Sequence, residues 1–285
     1  MAVPCEVMAG QLSVRGISLG GVMTCMQVPQ LGIMFDVGHC FRSLASTPRL
    51  LITHGHGDHC SGLVAMLSLR LLQGLQEPLQ VYAPEPIVEA LKTVVRCYES
   101  IQGHAYRWEI TSVAPGDEFA LDSRRHVRVY DSPHVIPTVG YTVFERVNKL
   151  RDEFKHLPGA EIGRRKHAGD DIFDRIERQL ISFPGDTSIE VFDRYPELLT
   201  ANVLLLEATY LDERRTPQQC IQHGHIHLDQ VLERAEAFEN EHLVFTHFSQ
   251  SYKPKEVVDI VRKRTAGRLK PEVHVLTPMA KVWPG

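Results

Sequence analysis

Apolar positions along the chain follow two alternating rhythms. Short runs, Leu12-Ser13-Val14, Val22-Met23-Thr24-Cys25-Met26-Gln27-Val28 and Gly32-Ile33-Met34-Phe35-Asp36-Val37, are separated by turn residues at Gly20-Gly21 and Pro29-Gln30, and they predict successive short strands. Arg49-Leu50-Leu51-Ile52 predicts another. Beyond it the spacing lengthens, so that 61 to 72 and 84 to 98 read as helices with the strand Leu79-Gln80-Val81-Tyr82 between them. Strands are expected at 106 to 113, 118 to 121, 126 to 131, 140 to 145, 180 to 183, 202 to 206, 242 to 245 and 272 to 276, and helices near 229 to 238 and over 254 to 263. This alternation predicts an α/β fold. No period of 20–50 residues recurs, which excludes a solenoid.

The rhythm lapses over 148 to 179, a stretch dense in both signs of charge and holding Pro158-Gly159, Gly163 and Gly169. It reads as an arm inserted in a single domain spanning 1 to 285. A 43% hydrophobic content over 285 residues fills a sizeable core and argues against disorder. No apolar run approaches the ~20 residues of a membrane span, and the first thirty residues lack a secretory signal pattern. Six cysteines without CxxC pairing predict reduced thiols and a cytoplasmic location. With a net charge of −4, any polyanionic partner must be met by a local basic patch.

The candidate chemistry starts at Thr53-His54-Gly55-His56-Gly57-Asp58-His59, between the strand at 49 to 52 and the helix starting near 61. In extended chain, residues two apart face the same way, so His54 and His56 reach one metal ion together. Asp58 and His59 lie where the chain turns into the helix and aim at a second ion. Imidazole and carboxylate ligands suit zinc, and also iron or manganese. A His-rich surface loop would have to account for four ligand-type residues in six positions. Asp36, at the end of an apolar strand, reads either as a carboxylate orienting this loop or as a turn cap.

Three further candidates stand after predicted strands, where α/β sites gather: His134, Asp186 and His247. The resulting set is His54, His56 and His134 on one ion, Asp58, His59 and His247 on the other, and Asp186 bridging. Each ion then keeps an open position, the mark of a catalytic site.

The order HxHxDH, His, Gly-Asp-Thr, Thr-His-Phe-Ser resembles the metallo-β-lactamase superfamily, and within it the ribonuclease Z family of tRNA 3′-processing endonucleases, closest to its short plant form. The resemblance runs nearly end to end, through Ser18-Leu19-Gly20-Gly21, Phe35-Asp36-Val37-Gly38, Pro133-His134-Val135-Ile136, Gly140-Tyr141, Gly185-Asp186-Thr187, Leu206-Glu207-Ala208-Thr209, Gly224-His225-Ile226-His227 and Thr246-His247-Phe248-Ser249. It implies an αββα four-layer sandwich, two Zn2+ per chain (Mn2+ or Fe2+ as alternatives), precursor tRNA as substrate and a homodimer in which one subunit's arm grips tRNA cut by the other. It also makes Asp58, Glu207 and His225 the catalytic candidates, with His225, oriented by Glu207, protonating the departing 3′ oxygen. Phosphodiester cleavage needs that proton, a nucleophile and charge neutralisation on the phosphoryl oxygens. His223 and His227 read as surface histidines flanking His225.

The arm corresponds in position to the family's tRNA-gripping segment, with Arg164, Arg165 and Lys166 as candidate phosphate contacts amid many acidic residues. A merely solvated charged loop is the alternative. Many family members place Arg one residue before the Tyr that follows Thr-His-Phe-Ser, where this chain has Ser251. The expected function is zinc-dependent removal of the 3′ trailer, leaving a 3′ hydroxyl on the tRNA. Alternatives are a small-molecule phosphodiesterase or other hydrolase of the superfamily, or an RNA-binding module with structural metals.

Overall fold

The computed structural model describes residues 4–278 and 283, which build two mixed sheets packed face to face. The first holds β1 (Cys5–Ala9), β2 (Leu12–Gly20), β3 (Met23–Val28), β4 (Ile33–Phe35), β5 (Arg49–Leu51), β6 (Leu79–Pro84) and β7 (Trp108–Val113) in chain order. The second holds β8 (Glu118–Ala120), β9 (Arg125–Ser132), β10 (Thr138–Leu150), β11 (Phe173–Phe183), β12 (Val203–Glu207) and β13 (His242–Thr246). β14 (Phe248–Ser249) crosses over to pair with β2, and β15 (Glu272–Val275) closes the second sheet beside β13.

The period-two pattern of the strands decides the layers. In β4, Ile33 and Phe35 enter the core between the sheets while Met34 faces outward; in β12, Val203 and Leu205 point inward and Leu204 and Leu206 outward. The outer face of the first sheet is covered by α2 (Leu63–Leu72) and α3 (Glu85–Gln102), which follow the short α1 (Gly57–Cys60). The outer face of the second is covered by α5 (Val191–Arg194), α7 (Leu228–Glu233) and α8 (Pro254–Thr265), with the short α6 (Pro217–Gln222) between the first two in the chain. Three apolar clusters between four layers make the αββα sandwich that the resemblance implied.

Inside the arm the structure is more regular than its composition suggests. β10 runs on to Leu150 and β11 begins at Phe173, and the outer pairs from Val147↔Ile176 to Leu150↔Phe173 form a two-stranded ribbon. The helix α4 (Gly159–Ala168) sits at its tip, ended by Gly169 in left-handed conformation at φ 83°. Backbone ladders and ion pairs sustain it where apolar alternation is lacking: Arg151 meets Asp171 at 2.6 Å and Asp174 at 2.9 Å. The strand Cys5–Ala9 escapes sequence reading because its alternation is too short to stand out. No helix among the described residues is long and apolar enough to cross a membrane.

Candidate metal centre

β9 and β11 each run antiparallel to β10, and β11, β12 and β13 are parallel, so four strands of the second sheet end on the same side. Each delivers one polar group there: His134 after β9, Asp186 after β11, Glu207 closing β12 and His247 after β13. The first sheet adds the loop after β5, in which His56 precedes α1 and Asp58 and His59 lie within its single turn. His247 and Asp36 are the two non-glycine residues with positive φ among those described, at 57° and 55°. The left-handed turn at His247 is where the chain leaves the second sheet for the first, between β13 and β14.

The seven metal candidates converge. Ligand atoms of His54, His56, His134 and Asp186 lie within 4.8 Å of one another, as do those of Asp58, His59 and His247. His54 Nε2 is 3.0 Å from His56 Nδ1, His134 Nε2 is 3.4 Å from His56 Nδ1, and His59 Nε2 is 3.3 Å from His247 Nε2. Two nitrogens on one tetrahedral ion with bonds of ~2.0–2.1 Å stand roughly 3.3 Å apart, so these spacings fit zinc-like coordination. Asp186 lies between the groups, its Oδ2 3.8 Å from His54 and 3.3 Å from His247, its Oδ1 3.3 Å from His59. Asp186 Oδ1 is buried without a hydrogen-bond partner, an arrangement that is costly unless a cation faces it.

Two buried carboxylates behind the cluster fix the histidine tautomers. Asp36 Oδ2 accepts from His59 Nδ1 at 2.8 Å, and through the Thr53 hydroxyl, 3.0 Å from His54 Nδ1, it also orients His54. Glu207 Oε1 accepts from His225 Nδ1 at 2.8 Å, while Thr209 Oγ1 donates to Glu207 Oε2 at 2.5 Å and accepts from His247 Nδ1 at 3.0 Å. His134 Nδ1 donates to the Gly224 carbonyl at 2.8 Å. A side chain at Gly224, whose φ is +69°, would place its Cβ 2.6 Å from that imidazole. Gly21 N donates to Asp58 Oδ2 at 2.8 Å.

At His59 burial favours the neutral ring, but the Asp186 and Asp36 carboxylates hold it well above the ordinary imidazole value. Burial, reinforced by the charge of His59, drives His54 down to about 2, leaving the neutral imidazole a metal needs. Burial would raise Asp186, but the His247 and His59 charges hold it well below the usual carboxylate range. At His225 burial opposes protonation, yet the Glu207 carboxylate overrides it and holds the imidazole up at about 9. The His225 side chain remains 19% exposed.

Arg164, Arg165 and Lys166 are not at this centre. They lie on α4, where Arg164 and Arg165 meet Glu161 at 2.5 and 3.2 Å and Lys166 lies over the Phe173 ring. One expectation is overturned: His227 is buried, not on the surface, with Nδ1 accepting from Asp229 N at 3.0 Å and Nε2 donating to the Asp212 carbonyl at 2.9 Å, so it caps α7. His223 is exposed as expected. Ser251, at the departure from the family pattern, pairs its hydroxyl with Ser249 at 3.0 Å. Sequence reasoning missed Thr209; its place two residues past Glu207 was the available signal.

A domain model described as "Beta-lactamase superfamily domain" matches residues 41–248. The chain is 34% identical over 253 residues to "tRNase Z TRZ2, chloroplastic" of Arabidopsis thaliana, covering 88% of this chain and 71% of that protein. It is 32% identical over 250 residues to tRNase Z TRZ1 of the same plant, covering 87% and 89%. Among solved structures, the metallo-β-lactamase fold protein YhfI of Bacillus subtilis superposes with a TM-score of 0.63 at 14% identity over 100% of both chains. The short form of human tRNase Z does so with a TM-score of 0.59 at 20% identity, over 98% of this chain and 95% of that one.

Proposed function

Since the chain belongs to the tRNase Z family of the β-lactamase superfamily, metal-dependent endoribonucleases that process tRNA 3′ ends, we propose that it removes the 3′ trailer of precursor tRNA with two zinc ions and the residues assigned below. The observation that carries this reading is the side-by-side placement of two ligand groups, Asp186 between them, and the His225–Glu207 pair at 2.8 Å. His54, His56 and His134 would hold one ion, Asp58, His59 and His247 the other, and Asp186 both. Bound there, the ions would lower the pKa of water from ~15.7 towards ~7 and offset charge on the phosphoryl group.

The chain's own residues do the rest. Asp58, fixed by the Gly21 N–H, is placed to align the attacking water, and the His225 imidazolium donates its Nε2 proton to the departing 3′ oxygen, which leaves as the tRNA hydroxyl. Glu207 holds the His225 ring by its Nδ1–H and stabilises its charge. A cleft of about 720 Å³ beside His134, lined by Pro84, Pro86, Pro133, Val135 and Ile136, offers apolar surface against which a nucleobase can pack. A cytoplasmic, reducing setting fits the six cysteines, all unpaired.

Purified protein should cut a labelled precursor tRNA at the 3′ side of the acceptor stem, and a chelator should abolish this until zinc is restored. Turnover of bis-p-nitrophenyl phosphate without tRNA cleavage would assign it to small substrates, and the reading would fail.

The arm is proposed as the tRNA grip of a homodimer, acting on RNA cut by the partner subunit. Over 148 to 179 it carries eight Lys or Arg against seven Asp or Glu, so its grip must come from local arrangement on α4 and not from net charge. Changing Arg164, Arg165 and Lys166 together to Ala should weaken tRNA binding and flatten its salt dependence, with small-ester turnover unchanged. An unaltered salt slope would mark the arm as a solvated loop.

A further inference from the structure

The end of β13 opposite the metal centre carries a second convergence of ligand-type side chains. His242 opens β13, and its register partner on β15 is Glu272; His274, two residues further along, lies on the same face of that strand. His242 Nδ1 is 3.2 Å from His274 Nε2 and 3.3 Å from Glu272 Oε2, and Glu272 Oε1 is 3.9 Å from His274 Nε2. The ligand atoms of all three lie within 4.8 Å of one another. Both imidazoles are largely buried, at 13% and 14% exposed, whereas Glu272 reaches in from the surface.

We propose that His242, Glu272 and His274 form a separate divalent-metal site for zinc or a similar borderline ion. One shared proton accounts for the contact between the two rings, but a cation accounts for the convergence of both nitrogens and the carboxylate. The 3.2 Å separation is that of two nitrogens on one ion with bonds of ~2.0–2.1 Å. The fold also selects the ligating atom. The β1–β2 turn lies against the other nitrogen of His242, so close that a Cβ on Gly10 would stand 2.8 Å from Nε2, and this leaves Nδ1 to face the site. Two His and one Glu leave a fourth position for water.

The site is independent of the catalytic cluster, because five strand residues at ~3.3 Å each put roughly 16 Å between His242 and His247. Its effect is mechanical. Among the described residues β15 is the outermost strand of the second sheet, paired only with β13, and an ion there ties this edge to its neighbour. Binding to the folded state alone raises stability in proportion to saturation.

The test compares full-length wild type with the His242→Asn/His274→Asn double variant and with Glu272→Gln, each saturated with zinc and freed of excess. Metal analysis should show one equivalent fewer in the double variant, whatever the catalytic cluster retains, with precursor-tRNA cleavage undiminished. Zinc titration against a chromophoric chelator should show the extra site at least tenfold weaker in Glu272→Gln, and the zinc-dependent rise in thermal midpoint should shrink. Equal metal content in wild type and double variant overturns the proposal. Should the double variant not fold, Glu272→Gln decides, since an exposed carboxylate tolerates this change: unaltered zinc affinity then overturns it.

Discussion

Asp186→Ala should yield a folded protein that retains neither ion and whose cleavage of precursor tRNA falls to background. The carboxylate is the one group that faces both ligand sets, its oxygens lying 3.3 to 3.8 Å from His54, His59 and His247. Without it, three imidazoles converge at one end and two imidazoles with Asp58 at the other, with no negative charge between the two cations, and the electrostatic cost of loading both rises steeply at this buried position. Asp186→Asn separates shape from charge, because it fills the same space but removes the anion. We expect it to lose metal as well. Two equivalents of metal in either variant, measured after removal of excess, would rule out the bridging role.

His225→Ala should behave in the opposite way, keeping its metal and its fold while losing roughly 10²–10⁴-fold in the rate of precursor-tRNA cleavage, the usual range for general acid–base catalysis. The loss should depend on the leaving group. A ribose 3′ oxygen departs poorly unless it is protonated, whereas p-nitrophenolate leaves unaided, so bis-p-nitrophenyl phosphate turnover should fall far less. Glu207→Ala should give the same pattern in milder form, since Glu207 acts by orienting and charging the imidazole. The geometry makes this a real contest, for ligand atoms of Asp186, His225 and His247 also lie within 4.8 Å of one another. Loss of an ion from His225→Ala, or equal losses on both substrates, would make His225 a ligand and leave the proton donor unassigned.

The two experiments divide the centre along the line drawn by its hydrogen bonds. Asp36 and Glu207, both buried, each serve two histidines, directly at His59 and His225 and through a threonine hydroxyl at His54 and His247. Asp36 was legible in sequence as a carboxylate at a strand end, with its partner undecided between the metal loop and a turn. The structure places it against the loop. Thr53 and Thr209, which relay those carboxylates, carry no signal in their residue type, because a buried threonine just past a strand looks like any strand threonine.

What the sequence determined by itself is what short-range pattern encodes. Alternation of apolar residues over a few positions specifies which face of each strand is buried, so the α/β class and the strands ending at His134, Asp186 and His247 were readable. The spacing of His54, His56, Asp58 and His59 is local too. Tertiary structure alone decided the pairings that span distance. Asp36 meets His59 across 23 residues and Glu207 meets His225 across 18, the latter a pair that the family resemblance implied but that no local pattern shows. It likewise buried His227 as a cap of α7 and turned the charge-rich arm into a paired ribbon ending in a helix. In each case composition was the same as for a solvated segment, and the deciding free energy lay in backbone pairing and in desolvation by distant residues, neither of which is written in the local pattern.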